Sequence, residues 1–195
     1  MPFPRLIPVI LVDGERAVKT TKFKNKIYIG DPVNIIKVFN EKEVDELVVI
    51  DIEATKKKAK PDYEMIERLA SECFMPLTYG GGISDISEVD RIFSLGVEKI
   101  SIQGAVFKKS NFISECAHKF GNQSMVLSLD IKKNIFGKYQ VYDSSKNISI
   151  KGNWKKIIKE YINMGFGEIM VNSVDRDGLM KGLDYIDQKA AQLKI

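Results

Sequence analysis

The sequence predicts an α/β fold of the (β/α)8 or TIM barrel type, and three observations carry that expectation. First, apolar runs recur and close on a carboxylate: Leu47-Val48-Val49-Ile50-Asp51, Met125-Val126-Leu127-Ser128-Leu129-Asp130 and Ile169-Met170-Val171-Asn172-Ser173-Val174-Asp175. Second, segments with helical spacing alternate with these runs, the order that produces parallel strand pairing. Third, residues 44–51 and 166–173 share a design, as do the first and fifth strands. An approximate repeat of four βα modules completes itself at eight strands, which takes about 250 residues. The 195 residues are therefore expected to form one barrel domain over 1–195, apparently lacking its last two modules. A doubly wound sheet is the alternative.

Each element has its own signal. Residues 6–12 read as a first buried strand, followed by a polar, basic loop over 13–30, long enough to suggest a functional lid. Asp31-Pro32 opens a helix, since Asp caps well and Pro suits the first helical position. A second strand ends at Asp51. Met65, Ile66, Leu69 and Ala70 give residues 61–74 a helical face. A short strand follows over 76–79, a helix from about Ile86 to Gly96, a strand over 99–102, a helix over 112–120 and a fifth strand over 125–129. Residues 140–150 read as an inserted hairpin, 154–164 as a helix with Ile157, Ile158, Tyr161 and Ile162 inward, 168–174 as a sixth strand and 185–195 as a final helix.

Composition bounds the function. With 44% hydrophobic and 29% charged residues the chain matches ordinary globular proteins. Its net charge of +4 is dispersed, which gives no support to nucleic-acid binding. The densest block, Lys56-Lys57-Lys58 with Lys60, reads as a solvated loop, with attraction to phosphate or an acidic partner as the other reading. Cys73 and Cys116 both fall in predicted helices, so no disulfide framework is expected and a reducing cytoplasm fits. The apolar stretch after Met1-Pro2-Phe3-Pro4-Arg5 is too short to span a bilayer, so no membrane association is expected.

Candidate chemistry clusters at strand ends. An ionised carboxylate buried without partners costs several kcal/mol, and strand C-termini are where parallel α/β arrays carry their sites. Asp130 is the leading acid/base candidate, with Lys132 on the same side of an extended chain. Gly80-Gly81-Gly82 follows a strand and precedes the helix cap Ser84-Asp85, a pattern that fits either a phosphate cradle or a tight turn. Gln103 and Gly104 lie after the next strand and would complete the cradle. Asp175-Arg176-Asp177-Gly178 fits a solvated turn or an acid/base site equally. Lys19 is either a cationic ligand reaching across the mouth or a surface lysine. His118 reads as a surface residue. No spacing suggests a metal site, a bound cofactor or a nucleophile motif.

These residues resemble the HisF-type cyclase subunit of imidazole glycerol phosphate synthase. The likeness runs through Arg5-Leu6-Ile7, Val18-Lys19, Gly30-Asp31-Pro32, Asp45-Glu46-Leu47, Asp51-Ile52, Gly80-Gly81-Gly82-Ile83, Lys99-Ile100-Ser101-Ile102, Asp130 and Ser173-Val174-Asp175-Arg176-Asp177-Gly178. The resemblance implies a (β/α)8 barrel that receives ammonia from a separate glutaminase subunit. In that family ammonia condenses with a bis-phosphorylated ribulosyl-formimino carboxamide nucleotide, yielding imidazole glycerol phosphate and an aminoimidazole carboxamide nucleotide. It also implies a phosphate site at Gly81, Gly82, Gln103 and Gly104, although the family usually has Asn-Thr at the last two. Acid/base chemistry falls to Asp130 with Lys19 beside it, and further ligand contacts to Asp51, Asp175 and Gly178. A charged ring that gates ammonia at the docking face maps to Arg5, Glu46, Lys99 and Glu168, with Glu98 next to it.

Two departures stand out. The family's first strand ends in an aspartate that pairs with Asp130, and Leu11 takes its place here. Asp13 does not substitute, because two residues along a strand displace a side chain by about 7 Å. The second departure is the end at Ile195, before the strands expected to supply a second phosphate site. Leu11 and the segment Lys19-Thr20-Thr21-Lys22-Phe23-Lys24-Asn25 resemble a branch of the family found with surface-polysaccharide genes. There the barrel passes ammonia to a separate amidotransferase-like enzyme that builds acetamidino groups on sugars. The orthodox histidine-pathway cyclase and a non-catalytic channelling scaffold are the alternatives.

Overall fold

The computed structural model describes residues 4–105, 110–182 and 184. It divides into two compact units, one made of the chain up to Lys19 with Ile27–Ser101, the other of Thr20–Lys26 with the chain from Ile102 onward. Both alternate strands with helices, as the α/β expectation requires.

The first unit contains β1 (Val9–Asp13), most of β2 (Arg16–Thr21) and of β3 (Lys24–Gly30), α1 (Pro32–Glu41), β4 (Leu47–Asp51), α2 (Ala54–Lys57), α3 (Tyr63–Glu72), β5 (Leu77–Gly80), α4 (Ile86–Ser94) and β6 (Lys99–Ile102) up to Ser101, while the β2–β3 turn over Thr20–Lys26 belongs to the second unit. Strands β1, β4, β5 and β6 run parallel in that spatial order, and β2 adds to β1 antiparallel. Leu47, Val49, Leu77, Tyr79 and Ile100 are all buried with Ile36, Met65, Ile66, Leu69, Val89 and Ile92 from the helices. The helical residues recur at i, i+3 and i+4, one apolar stripe per helix. Asp31 caps α1 as predicted, its Oδ1 accepting the N–H groups of Val33 at 2.9 Å and Asn34 at 3.2 Å.

Three sequence expectations change in this unit. The first strand begins at Val9 instead of residue 6: Leu6 is 63% exposed, and Pro8 has no N–H to give a ladder. The polar loop over 13–30 is mostly the hairpin β2–β3. Its turn places Lys22 (φ 52°) and Phe23 (φ 60°) in the left-handed region, where Asn-Gly or Asp-Gly is the usual signal, so the sequence carried none. The lysine-rich loop contains the one-turn helix α2, ended by Lys58 at φ 53°.

The second unit contains α5 (Ser110–Phe120), a 3-10 turn at Asn122–Ser124, β7 (Met125–Lys133), β8 (Tyr139–Asp143), β9 (Ile148–Ile150), α6 (Trp154–Ile162) and β10 (Glu168–Ser173). Strand β10 pairs parallel with β7, while β8 and β9 form the predicted hairpin, antiparallel to β7. Pairing is therefore mixed instead of parallel throughout. Met125, Leu127, Leu129 and Ile131 are almost fully buried on one face of β7 and Val126 and Asp130 on the other, the signature of a strand covered on both sides. Strand β7 runs past the predicted end at residue 129 because β8 pairs with it from Asp130↔Tyr142 to Lys133↔Tyr139. Asp130 thus lies within a strand, not at its end. His118 is exposed, Cys73 and Cys116 are free thiols, and Cys73 lies just past α3. The predicted helix over 185–195 lies outside the described residues. Among the described residues no helix is long and apolar enough to cross a membrane.

Asp177 offsets the cost of the Lys22-Phe23 turn. Its Oδ2 accepts Thr20 Oγ1–H at 2.8 Å and the Phe23 N–H at 2.9 Å, and its carbonyl accepts the Lys22 N–H at 3.1 Å. Replacing Asp177 with Ala removes both side-chain contacts and is expected to cost about 1–3 kcal/mol. Trypsin should then cut after Lys22 and Lys24 faster than in the parent protein, with far-UV circular dichroism unchanged; equal cleavage rates would show that the carboxylate does not hold the turn.

Candidate functional site

In the first unit a glycine loop follows β5. Gly81 (φ 119°) and Gly82 (φ 73°) adopt backbone open to few other residues. A Cβ at Gly81 would lie 2.4 Å from the Asp51 carbonyl, and one at Gly82 2.8 Å from the Ala59 carbonyl. Close packing on the segment after β4 therefore requires both glycines. Asp51 organises that segment: its Oδ1 accepts the N–H groups of Glu53 at 2.8 Å and Ala54 at 2.9 Å, fixing the start of α2. Thr55 Oγ1 in turn accepts the Gly82 N–H at 3.3 Å.

Helix α4 starts beyond this loop, and its N-terminal donors are engaged by its own side chains. The Asp85 carboxylate accepts the Ser87 N–H at 2.9 Å, and Glu88 Oε2 accepts those of Ser84 at 2.8 Å and Asp85 at 3.1 Å, a capping box. The expected contribution of this helix terminus to anion binding is corrected accordingly. The donors it would lend are satisfied by carboxylates, which also repel an anion.

A charged cluster forms where β4 and β6 begin. Glu46 is only 6% exposed; its Oε2 meets Lys99 Nζ at 2.8 Å, and its Oε1 meets the Arg5 guanidinium. Two cations on one buried carboxylate compensate its desolvation. Glu98 lies apart from this cluster, its Oε2 accepting the Leu77 N–H at 2.7 Å. Leu11 is half-buried in β1, register partner of Val18 and Ile50, and Lys19 is exposed on β2.

In the second unit Asp130 is 4% exposed, and its donors among the described residues are neutral. Gln103 Nε2 donates to its Oδ2 at 2.7 Å, and Asn172 Nδ2, its register partner on β10, to its Oδ1 at 3.2 Å. Burial raises its carboxyl above the usual aspartate value, against the hydrogen bonds of Gln103, Ser144 and Asn172, and the charge of Asp177 adds to the rise. Such a group holds a proton where an ordinary carboxylate does not, which suits an acid. Lys132 stacks over Tyr142 with its Nζ 4.7 Å from the ring centre.

The remaining candidates have structural partners. Asp175 Oδ2 accepts the Lys133 N–H at 2.8 Å. At Gly178 (φ 67°) a Cβ would meet the Thr20 carbonyl at 2.0 Å, so the clamp on the β2–β3 turn requires glycine. Glu168 opens β10 opposite Val126. Gln103 engages both ends of its amide, with Oε1 accepting Ser144 Oγ–H at 3.0 Å and Nε2 donating to Asp130. Sequence reasoning missed Ser144, Asn172 and the buried carboxylates Asp143 and Asp184. Asn172 had a usable signal, a polar residue inside an apolar run; Ser144 had none, since it lies in a polar turn. Among the described residues no group of three or more His, Cys, Asp or Glu is placed to hold a metal ion.

The raised Asp130 carboxyl has a signed consequence. In the window between the ordinary aspartate value and the raised one, the folded chain binds more protons than the unfolded, so this group's contribution to stability falls as pH rises through it. Asp130→Asn removes that penalty. The melting temperature of the variant minus that of the parent should increase with pH across the window; a difference that is flat or decreasing would place the Asp130 value at or below the ordinary one.

The family model described as "Histidine biosynthesis protein" matches residues 5–194. A protein of Vibrio vulnificus (strain YJ016), provisionally named a HisF-type subunit of imidazole glycerol phosphate synthase, is 44% identical over 98% of this chain and 75% of its own length. A protein of Leptospira interrogans with the same provisional name is 47% identical over 93% of the chain and 72% of its own. The imidazole glycerol phosphate synthase subunit HisF of Streptococcus sanguinis (strain SK36) is 35% identical over 92% and 71%.

Proposed function

Because the chain belongs to the histidine biosynthesis protein family, among HisF-type subunits of imidazole glycerol phosphate synthase whose fold is the TIM barrel, we propose that it receives glutamine-derived ammonia from a separate glutaminase subunit and delivers it near a phosphorylated ligand. One observation carries this reading: Glu46, 6% exposed, is held by Lys99 at 2.8 Å and by Arg5. A buried ion pair of this kind is a poor device for stability, since apolar residues of similar volume do as well or better. It is a good barrier to ions, which would need their own compensation, while ammonia is small and neutral.

The acceptor is the second part of the proposal. Cyclisation requires proton transfer on two sides of the substrate. Asp130 supplies one group and Leu11 supplies none. The ammonia is therefore assigned to amidation in surface-sugar biosynthesis, carried out with a separate amidotransferase-like enzyme in the cytoplasm. By resemblance to the family, the phosphate-binding role is assigned to the backbone of Gly81 and Gly82 in the first unit and of Gln103 and Gly104 in the second, and ligand-contact roles to Asp51 and Lys19 in the first and Asp175 and Gly178 in the second. The cyclase reading is favoured by one observation, the proton-holding Asp130, which is the state an acid needs.

Added to its glutaminase, the chain should raise glutamine hydrolysis at least tenfold, a coupling of about 1.4 kcal/mol in the barrier. Lys99→Ala should lower the transfer of amide nitrogen to acceptor relative to glutamine hydrolysed, because the gate no longer closes. Hydrolysis unaffected by both the chain and the substitution would defeat the ammonia reading.

A further inference from the structure

Within the second unit, a line of hydrogen bonds runs from a turn to Asp130. Asp143 closes β8 at 2% exposure, and its Oδ1 accepts the N–H groups of Ser145 at 3.1 Å and Lys146 at 3.3 Å and the Ser145 hydroxyl at 2.6 Å. Lys146 Nζ adds an ion pair to its other oxygen at 3.3 Å. An aspartate that gathers the backbone N–H groups ahead of it fixes the turn it begins. Ser144, inside that turn, is thereby held in place. Its hydroxyl donates to Gln103 Oε1 at 3.0 Å, and Gln103 Nε2 donates to Asp130 Oδ2 at 2.7 Å.

The two ends of an amide differ chemically, and this gives the line a direction. The oxygen only accepts and the nitrogen only donates. With the oxygen accepting from Ser144, as it does here, the nitrogen faces Asp130, and a donor stabilises the carboxylate form. Without Ser144 the amide can rotate by half a turn, and its oxygen then accepts a proton from the carboxyl form instead.

We propose that Ser144 is a positioning residue for Asp130, acting through Gln103: the β8–β9 turn fixes which end of the Gln103 amide faces the carboxyl and so couples the turn's conformation to the proton held at Asp130. With the turn in place, the proton affinity of Asp130 is lower than without the turn, although burial still raises it above that of an ordinary aspartate. When a ligand or partner draws Ser144 away, Asp130 is biased toward the protonated acid. Other groups also act on Asp130. Asn172 donates to it from β10, the charge of Asp177 raises its proton affinity, and Tyr142, its register partner on β8, feels its charge. None of these is altered by changing Ser144. The Ser144 hydroxyl is also within reach of Asp130, but its one proton is given to Gln103 Oε1 in this arrangement, so a direct effect has to be separated from one through Gln103.

This inference concerns the same carboxyl as the proposed function, but its readout is proton binding, so failure of the ammonia reading leaves it standing. Asp130 is followed by carbon NMR of the full chain labelled at aspartate carboxyls, with its resonance assigned by Asp130→Asn. Ser144→Ala should shift the titration midpoint upward, and Ser144→Thr, which keeps the hydroxyl, should restore it. Gln103→Met should shift the midpoint upward as well. In the Gln103→Met background, adding Ser144→Ala should produce less than half the shift it produces alone. An unmoved midpoint in Ser144→Ala, no restoration by Thr, or a shift undiminished in the Gln103→Met background would overturn the proposal. Heteronuclear spectra of each variant matching the parent away from the turn confirm that the readout comes from a folded chain.

Discussion

Strands covered on both faces leave no water for polar side chains, and every other property of this protein's candidate site follows from how its buried carboxylates are compensated. Two solutions are present. Glu46 is matched by charge, with Lys99 at 2.8 Å and the Arg5 guanidinium. Among the described residues Asp130 is matched by neutral groups, the amides of Gln103 and Asn172 and the Ser144 hydroxyl. Cations hold a carboxylate ionised, whereas neutral donors in a desolvated place let its proton affinity climb. The first is an ion-pair cluster, and the second a carboxyl whose burial raises its proton affinity.

Much of the surrounding structure supports these two groups. Asn172 reaches Asp130 because β10 runs parallel to β7 in the register that sets the two residues opposite each other. Strand β8 covers the end of β7 and carries the turn that orients Gln103. Asp177 clamps the turn between β2 and β3, whose Lys22 and Phe23 adopt a conformation that side chains disfavour. Asp51 and the glycines after β5 pack on one another so closely that the glycines are explained by packing before any ligand is considered.

The elements with a regular period were legible in the sequence. Helices α1, α3, α4 and α6 followed their apolar stripes and caps, and the parallel strands followed their carboxylate-ended runs. Conformations set by distant residues were not. The hairpin β2–β3 lacks a turn dipeptide because Asp177, far along the chain, holds it. Strand β7 looked shorter because Lys132 and Lys133 are polar, yet pairing with β8 extends it. At the site, Asp130 was evident as a carboxylate ending an apolar run, whereas its partners Ser144 and Asn172 depend on register. The acceptor terminus of Gln103 is likewise used up by a serine the sequence did not single out.

The central claim is that this HisF-type chain delivers ammonia without carrying out the cyclisation itself. The most direct test supplies the full chain with ammonium salt and the ribulosyl-formimino carboxamide nucleotide, with no glutaminase present, and measures imidazole glycerol phosphate. The account predicts no product above the uncatalysed background, both in the parent chain and after Asp130→Asn. Steady turnover by the parent chain, lost on Asp130→Asn, would contradict it and make the chain a cyclase that needs only one acid/base group.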